Sequence, residues 1–95
     1  MITRIVKLTF QPEKVADFLK VFEAMKSKIA AFEGCESLQL MKQEGSDCVF
    51  FTVSQWQAAS YLDAYRNSAF FADVWSRTKI HFAVKPEAWS LTVIV

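Results

Sequence analysis

The chain has 95 residues, 53% of them hydrophobic and 15% aromatic. That is apolar for a length that buries only a thin core, so self-association is expected to cover the excess. A net charge of +1, from 11 basic and 10 acidic residues spread along the chain, leaves no electrostatic footprint for nucleic acid or an anionic membrane. No apolar run approaches the roughly 18–20 residues of a membrane span, and the segment from Met1 to Lys7 lacks the unbroken apolar stretch of a signal peptide, so a cytoplasmic protein is expected.

Residues Ile2 to Phe10 alternate, with Ile2, Val6, Leu8 and Phe10 on one side and Thr3, Ile5 and Thr9 on the other, which predicts a first strand with apolar character on both faces. Pro12 suits a first helical turn. Val15, Phe18, Leu19, Phe22, Met25 and Ile29 then recur at three- and four-residue spacing, predicting an amphipathic helix over 12–32 that Gly34 stops. Ser37 to Gln43 and Cys48 to Val53 are strand-like, and the Glu44 to Asp47 cluster between them holds the glycine of a short hairpin loop.

A β-branched run then ends in Trp56, and within two residues the spacing turns helical through Ala58, Leu62 and Tyr65. Trp56 thus sits at a strand-to-helix seam, where its ring can line a cavity with the indole N–H free to donate. The helix is expected to break at Asn67 and Ser68 and resume with Phe71, Val74, Trp75, Thr78 and Phe82 in one stripe until Pro86. A last strand is predicted from Ala88 to Val95. The whole chain, residues 1–95, reads as one domain.

The order βαββαβ fits a ferredoxin-like antiparallel sheet with both helices on one face. Strands apolar on both sides, most clearly from Cys48 to Val53, imply that the second face is covered too. A second copy packed there gives an isologous homodimer, with Val93 and its neighbours near the contact.

Residue counts remove several chemistries. Two glycines, Gly34 and Gly45, cannot build a phosphate loop or a dinucleotide fingerprint. His81 is the one histidine, so no multi-histidine metal site can form within a chain. No G-x-S-x-G elbow is present. Cys35 and Cys48 lack metal-ligand spacing and disulfide-scaffold density, and read as reduced thiols. RNA-recognition motifs share this topology, but the strand from Cys48 to Val53 has neither the basic residue nor the glycines they need.

What remains is aromatic. Many of these rings are core, but Trp56, Tyr65 and Trp75, with polar tips to place, are expected to line a pocket for a flat apolar ligand, together with Phe22, Tyr61, Phe71 and His81. The chain resembles the antibiotic biosynthesis monooxygenase (ABM) superfamily of small dimeric α+β barrel proteins. The likeness rests on Gln11-Pro12 and the Phe18/Phe22 spacing, on Phe32 to Cys35, on the run from Thr52 to Phe71, and on Pro86 to Ser90.

This resemblance implies a cofactor-independent oxygenase that needs no metal. In it an electron-rich phenol or quinol loses a proton in a helix–sheet pocket and reacts directly with O2. In the polyketide-oxidising members a Trp at the end of the third strand contributes to the site, and Trp56 matches it. Thr52 stands where those members have an Asn, and Leu62, next to Tyr61, where they have a Tyr. In the haem-degrading members an Asn, a Trp and an iron-binding His align with Ile5, Tyr65 and Trp75, so no haem ligand is implied. The resemblance therefore nominates Trp56, Thr52 and Tyr65 as catalytic. A non-catalytic small-molecule-binding dimer and an isomerase of related fold are the alternatives.

Overall fold

Strand pairing in the computed structural model, which describes all 95 residues, follows the alternation of the sequence. The first strand, β1 (Ile2–Thr9), lies between β3 (Val49–Trp56) and β4 (Glu87–Leu91), and β2 (Cys35–Lys42) pairs with the far side of β3. All three pairings are antiparallel, in the order β2-β3-β1-β4. A 3-10 turn (Pro12–Lys14) leads into α1 (Val15–Ala30), and α2 (Ala59–Arg66) and α3 (Ala69–Lys79) follow β3. The fold is therefore α+β and ferredoxin-like. No helix is long and apolar enough to cross a membrane.

Register explains how the two faces of the sheet differ. Leu38, Ser54, Arg4 and Ser90 form one cross-strand row, and Leu40, Thr52, Val6 and Ala88 form the next. Both rows lie on the helix side, since side chains two apart on a strand share a face. The alternate rows, Gln39–Val53–Ile5–Trp89 and Met41–Phe51–Lys7–Glu87, point away from every helix. There Met41, Trp89 and Leu91 are exposed. A large apolar face is thus left open, crossed by the 3.9 Å Lys7–Glu87 ion pair and by the 2.8 Å hydrogen bond from Thr3 Oγ1 to Gln55 Oε1.

The helix side holds two buried clusters. Leu8, Phe10, Phe18 and Phe50 form one, with the Phe10 and Phe18 rings stacked at 4.0 Å. Ile29, Trp56, Leu62 and Tyr65 form the other. Gly34 makes the second possible. Its φ is +85°, a left-handed conformation that other residues resist, and a Cβ there would overlap the Tyr61 ring.

Element boundaries differ from the sequence expectation in five places, the first being the helix expected over 12–32, which is a 3-10 turn at Pro12–Lys14 followed by α1 ending at Ala30. β2 starts at Cys35, two residues early, because a register shift between Cys35 and Ser37 lets Cys35 pair with Trp56. β3 starts at Val49 and runs on through Trp56, since β1 supplies partners as far as Ile2. α3 ends at Lys79, well before Pro86. There the chain leaves the helix so that Phe82 can pack against Phe10 and Trp75 and bridge to Phe10. β4 stops at Leu91 instead of Val95, where its ladder with β1 ends at the Thr3–Leu91 pair. Val93, Ile94 and Val95 are exposed.

Candidate functional site

Between the two clusters lies a cavity of about 360 Å³, within the range of small-ligand sites. Its floor is the helix-side face of the sheet, with Arg4, Val6 and Leu8 from β1, Thr52, Ser54 and Trp56 from β3, Leu38 from β2 and Ala88 from β4. Phe18, Phe22 and Ile29 of α1 form one wall. Leu62, Tyr65 and Arg66 of α2 form another, and Phe71, Val74, Trp75 and Thr78 of α3 complete it. The residues are mostly apolar because each is the inward side of an amphipathic element.

The aromatic wall is continuous. Trp56 stacks on Tyr65 at 5.1 Å, Tyr65 meets Phe71 edge-on at 5.0 Å, and Phe71 lies nearly parallel to Trp75 at 5.9 Å. Offset and edge-on ring pairs of this kind hold one another in place beyond their area burial. A flat ligand therefore meets a pre-set surface.

Thr52, Trp56, Tyr65, Phe22, Phe71 and Trp75 are brought together on this one lining. Tyr61 and His81 are not. Tyr61 packs over Gly34, one helical position away from the inward stripe. His81 follows the end of α3, buried with its Nδ1 unpartnered, while its backbone carbonyl accepts from the Gln11 N–H. The early end of α3 carries it away from the cavity. No three His, Cys, Asp or Glu side chains converge to hold a metal ion, and Cys35 and Cys48 are unpaired thiols.

The indole N–H is not free, contrary to expectation. Trp56 Nε1 donates to Ser54 Oγ at 2.9 Å, and both residues are buried. Accepting this bond fixes the Ser54 oxygen, and the hydroxyl hydrogen is left to be donated elsewhere. Ser54 is one of the lining residues that sequence reasoning missed, with Arg4 and Arg66. Its signal was its position, two before Trp56 on the same strand face.

Tyr65 is set by its surroundings as well. Burial, and secondarily the charge of a Cys35 thiolate, push its phenol up to about 12. Near neutrality it can donate a hydrogen bond but cannot act as a base. Burial likewise pushes the Cys35 thiol up, with the Glu36 carboxylate adding to the effect and the Ser37 backbone opposing it.

Two outcomes follow from these contacts. Ser54→Ala leaves the buried indole donor unpaired and is expected to cost about 1–3 kcal/mol. Trp56→Phe removes the donor together with ring volume. In a double-mutant cycle read by urea denaturation, the combined variant should be less destabilised than the sum by roughly 1 kcal/mol; strict additivity would show that the bond contributes nothing. The second outcome concerns alkali. The Tyr65 proton is held more tightly in the folded than in the unfolded chain, whose phenol titrates near 10. The resulting stabilisation is constant below about pH 10 and is lost as pH rises towards 12, by on the order of 2–3 kcal/mol. Unfolding free energies at pH 9 and pH 11.5 should therefore diverge more in the native protein than in Tyr65→Phe.

Comparison with known proteins agrees with this architecture. The family model for "Antibiotic biosynthesis monooxygenase" matches residues 1–75. No curated protein matches the chain by sequence. Among solved structures, a protein from Caulobacter crescentus CB15 named for this family superposes with a TM-score of 0.90 at 23% identity, covering 99% of this chain and 90% of that one. A conserved protein from Methanosarcina mazei Go1 gives 0.89 at 18%, covering 96% and 91%. One from Bordetella bronchiseptica, again carrying the family name, gives 0.87 at 20%, covering 99% and 97%. At these identities the structures share the fold with this chain, and the family match is carried by the sequence itself: the chain belongs to the antibiotic biosynthesis monooxygenase family.

Proposed function

We propose that the protein is a cofactor-independent monooxygenase that oxidises a small electron-rich phenol or quinol in the helix–sheet cavity. The observation that carries this reading is the pairing of a continuous aromatic wall with a fixed hydroxyl on the floor, Ser54 held by Trp56. The wall orients a flat ring and keeps water from it, which lowers the entropic part of the barrier. Ser54, with Thr52 one row away on the same face, supplies donors to the oxyanion that develops as the ring loses its proton. Electrostatic help of this kind is commonly the largest catalytic contribution. The electrons come from the substrate, and one oxygen atom enters it while the other leaves as water.

No carboxylate and no histidine lines the cavity, and Tyr65 stays protonated. The substrate therefore ionises to water or binds as the anion. This same observation favours the alternative of a non-catalytic binding protein, and oxygen uptake separates the two. With a panel of quinols and anthrone-like phenols, the protein should accelerate O2 consumption over the blank. Ser54→Ala should lower the rate roughly tenfold to a hundredfold, the loss of a hydrogen bond to a developing anion. Ligand binding without any uptake above the blank would leave the binding protein as the function.

We further propose that the working form is a homodimer packed through the open sheet face. Ile5, Phe51, Val53, Trp89 and Leu91 offer one contiguous apolar surface, larger than isolated exposed side chains require. A two-fold contact would bury it from both sides. Light scattering at micromolar concentration should give twice the 10.9 kDa chain mass. Val53→Lys, at the centre of the face, should give the single-chain mass.

A further inference from the structure

Two charged residues line the cavity, Arg4 and Arg66, and no acid accompanies them. They come from different walls, Arg4 from the β1 floor and Arg66 from the last residue of α2. Neither belongs to any of the four ion pairs in the molecule, which use Lys7, Lys26, Lys42 and Arg77. Arg4 donates from Nη1 to Ser90 Oγ at 3.0 Å, a neutral partner that leaves most of its donors unused.

Two like charges lining one apolar space give it a positive potential that a negative group would neutralise. Burial, and after it the Arg66 charge, hold the Arg4 guanidinium below its ordinary value, so the two groups do sense each other. A guanidinium is also the side chain best matched to a planar oxyanion, because its paired N–H groups meet both oxygens at once.

We infer that the cavity takes an aromatic carboxylate, its ring against the Trp56–Tyr65–Phe71 wall and its carboxylate between Arg4 and Arg66. The inference rests on the reading of this cavity as the ligand site, and not on the oxygenation proposed for it. It adds a recognition group distinct from the reacting phenol: a fixed negative charge that sets which end of the ring faces β4 and the end of α2. A structural role for each arginine is the competing account. Arg4 would tie β1 to β4 through Ser90, and Arg66 would complement the C-terminal end of the α2 dipole.

The test compares 2-naphthoate with its neutral isostere 2-naphthamide, by calorimetry and by tryptophan quenching. The native protein should bind the carboxylate at least tenfold more tightly, with a preference that shrinks as salt is raised. Arg66→Gln and Arg4→Gln should each reduce carboxylate affinity about tenfold and leave the amide unchanged, while Arg66→Lys should recover part of the loss. Arg66 is exposed, so its variants are expected to fold, and a thermal melt checks Arg4→Gln. Equal affinity for acid and amide would overturn the inference and leave the cavity standing as a binding site. Parallel loss of both compounds in the Gln variants would assign the arginines a shaping role and overturn it as well. Binding of neither compound would overturn it together with the cavity reading.

Discussion

Trp56 is the residue on which both the fold and the cavity depend. It closes β3, faces Ile2 on one neighbour and Cys35 on the other, and is 1% exposed. Its ring stacks on Tyr65 and its N–H is consumed by Ser54. One side chain therefore ties three strands to α2 and also fixes a polar atom on the cavity floor. An indole suits the position because it combines a large apolar body with a single directional donor. A phenylalanine would fill much of the space and leave Ser54 without its partner.

The pleat of β3 assigns alternate residues to opposite tasks. Phe50, Thr52, Ser54 and Trp56 face the helices, while Phe51, Val53 and Gln55 face outward. Since β3 is an interior strand, paired on both sides, a change of register would exchange the two sets and abolish both surfaces together. The polar residues of the inner set, Thr52 and Ser54, lie between Phe50 of one buried cluster and Trp56 of the other. The two hydroxyls are thus flanked along one strand by an aromatic residue of each cluster.

The architecture was readable in the sequence because it rests on periodicity: alternation in β1 and β3, and three- and four-residue spacing in α1 and after Trp56. Trp56, Thr52 and Tyr65 came with it, since a strand-to-helix seam and one helical turn suffice to put them near each other. Ser54 and Arg4 were equally regular in position but were obscured by chemistry. Arg4 interrupts the Ile2, Val6, Leu8 alternation and reads as a surface residue until Arg66, from a distant segment, is found on the lining of the same cavity. Tyr61 and His81 show the opposite error. Their side chains look suited to a site, but Gly34 and the early end of α3 direct them elsewhere, and both depend on contacts between segments far apart in sequence.

The two helices after β3 are built to different standards. α3 has a serine cap, Ser68 accepting from the Phe71 N–H at 3.0 Å, whereas α2 has eight residues and begins after Ala58 with no side-chain cap. A helix so short is not self-sustaining in water, and the loss of a cap weakens it further. α2 is held helical chiefly by burying Leu62 and Tyr65. The wall that carries Tyr65 and Arg66 accordingly owes its helical order to tertiary burial more than to its own length. Occupancy of the cavity then acts back on the chain, because whatever packs against Tyr65 also supplies α2 with the order that its own length does not.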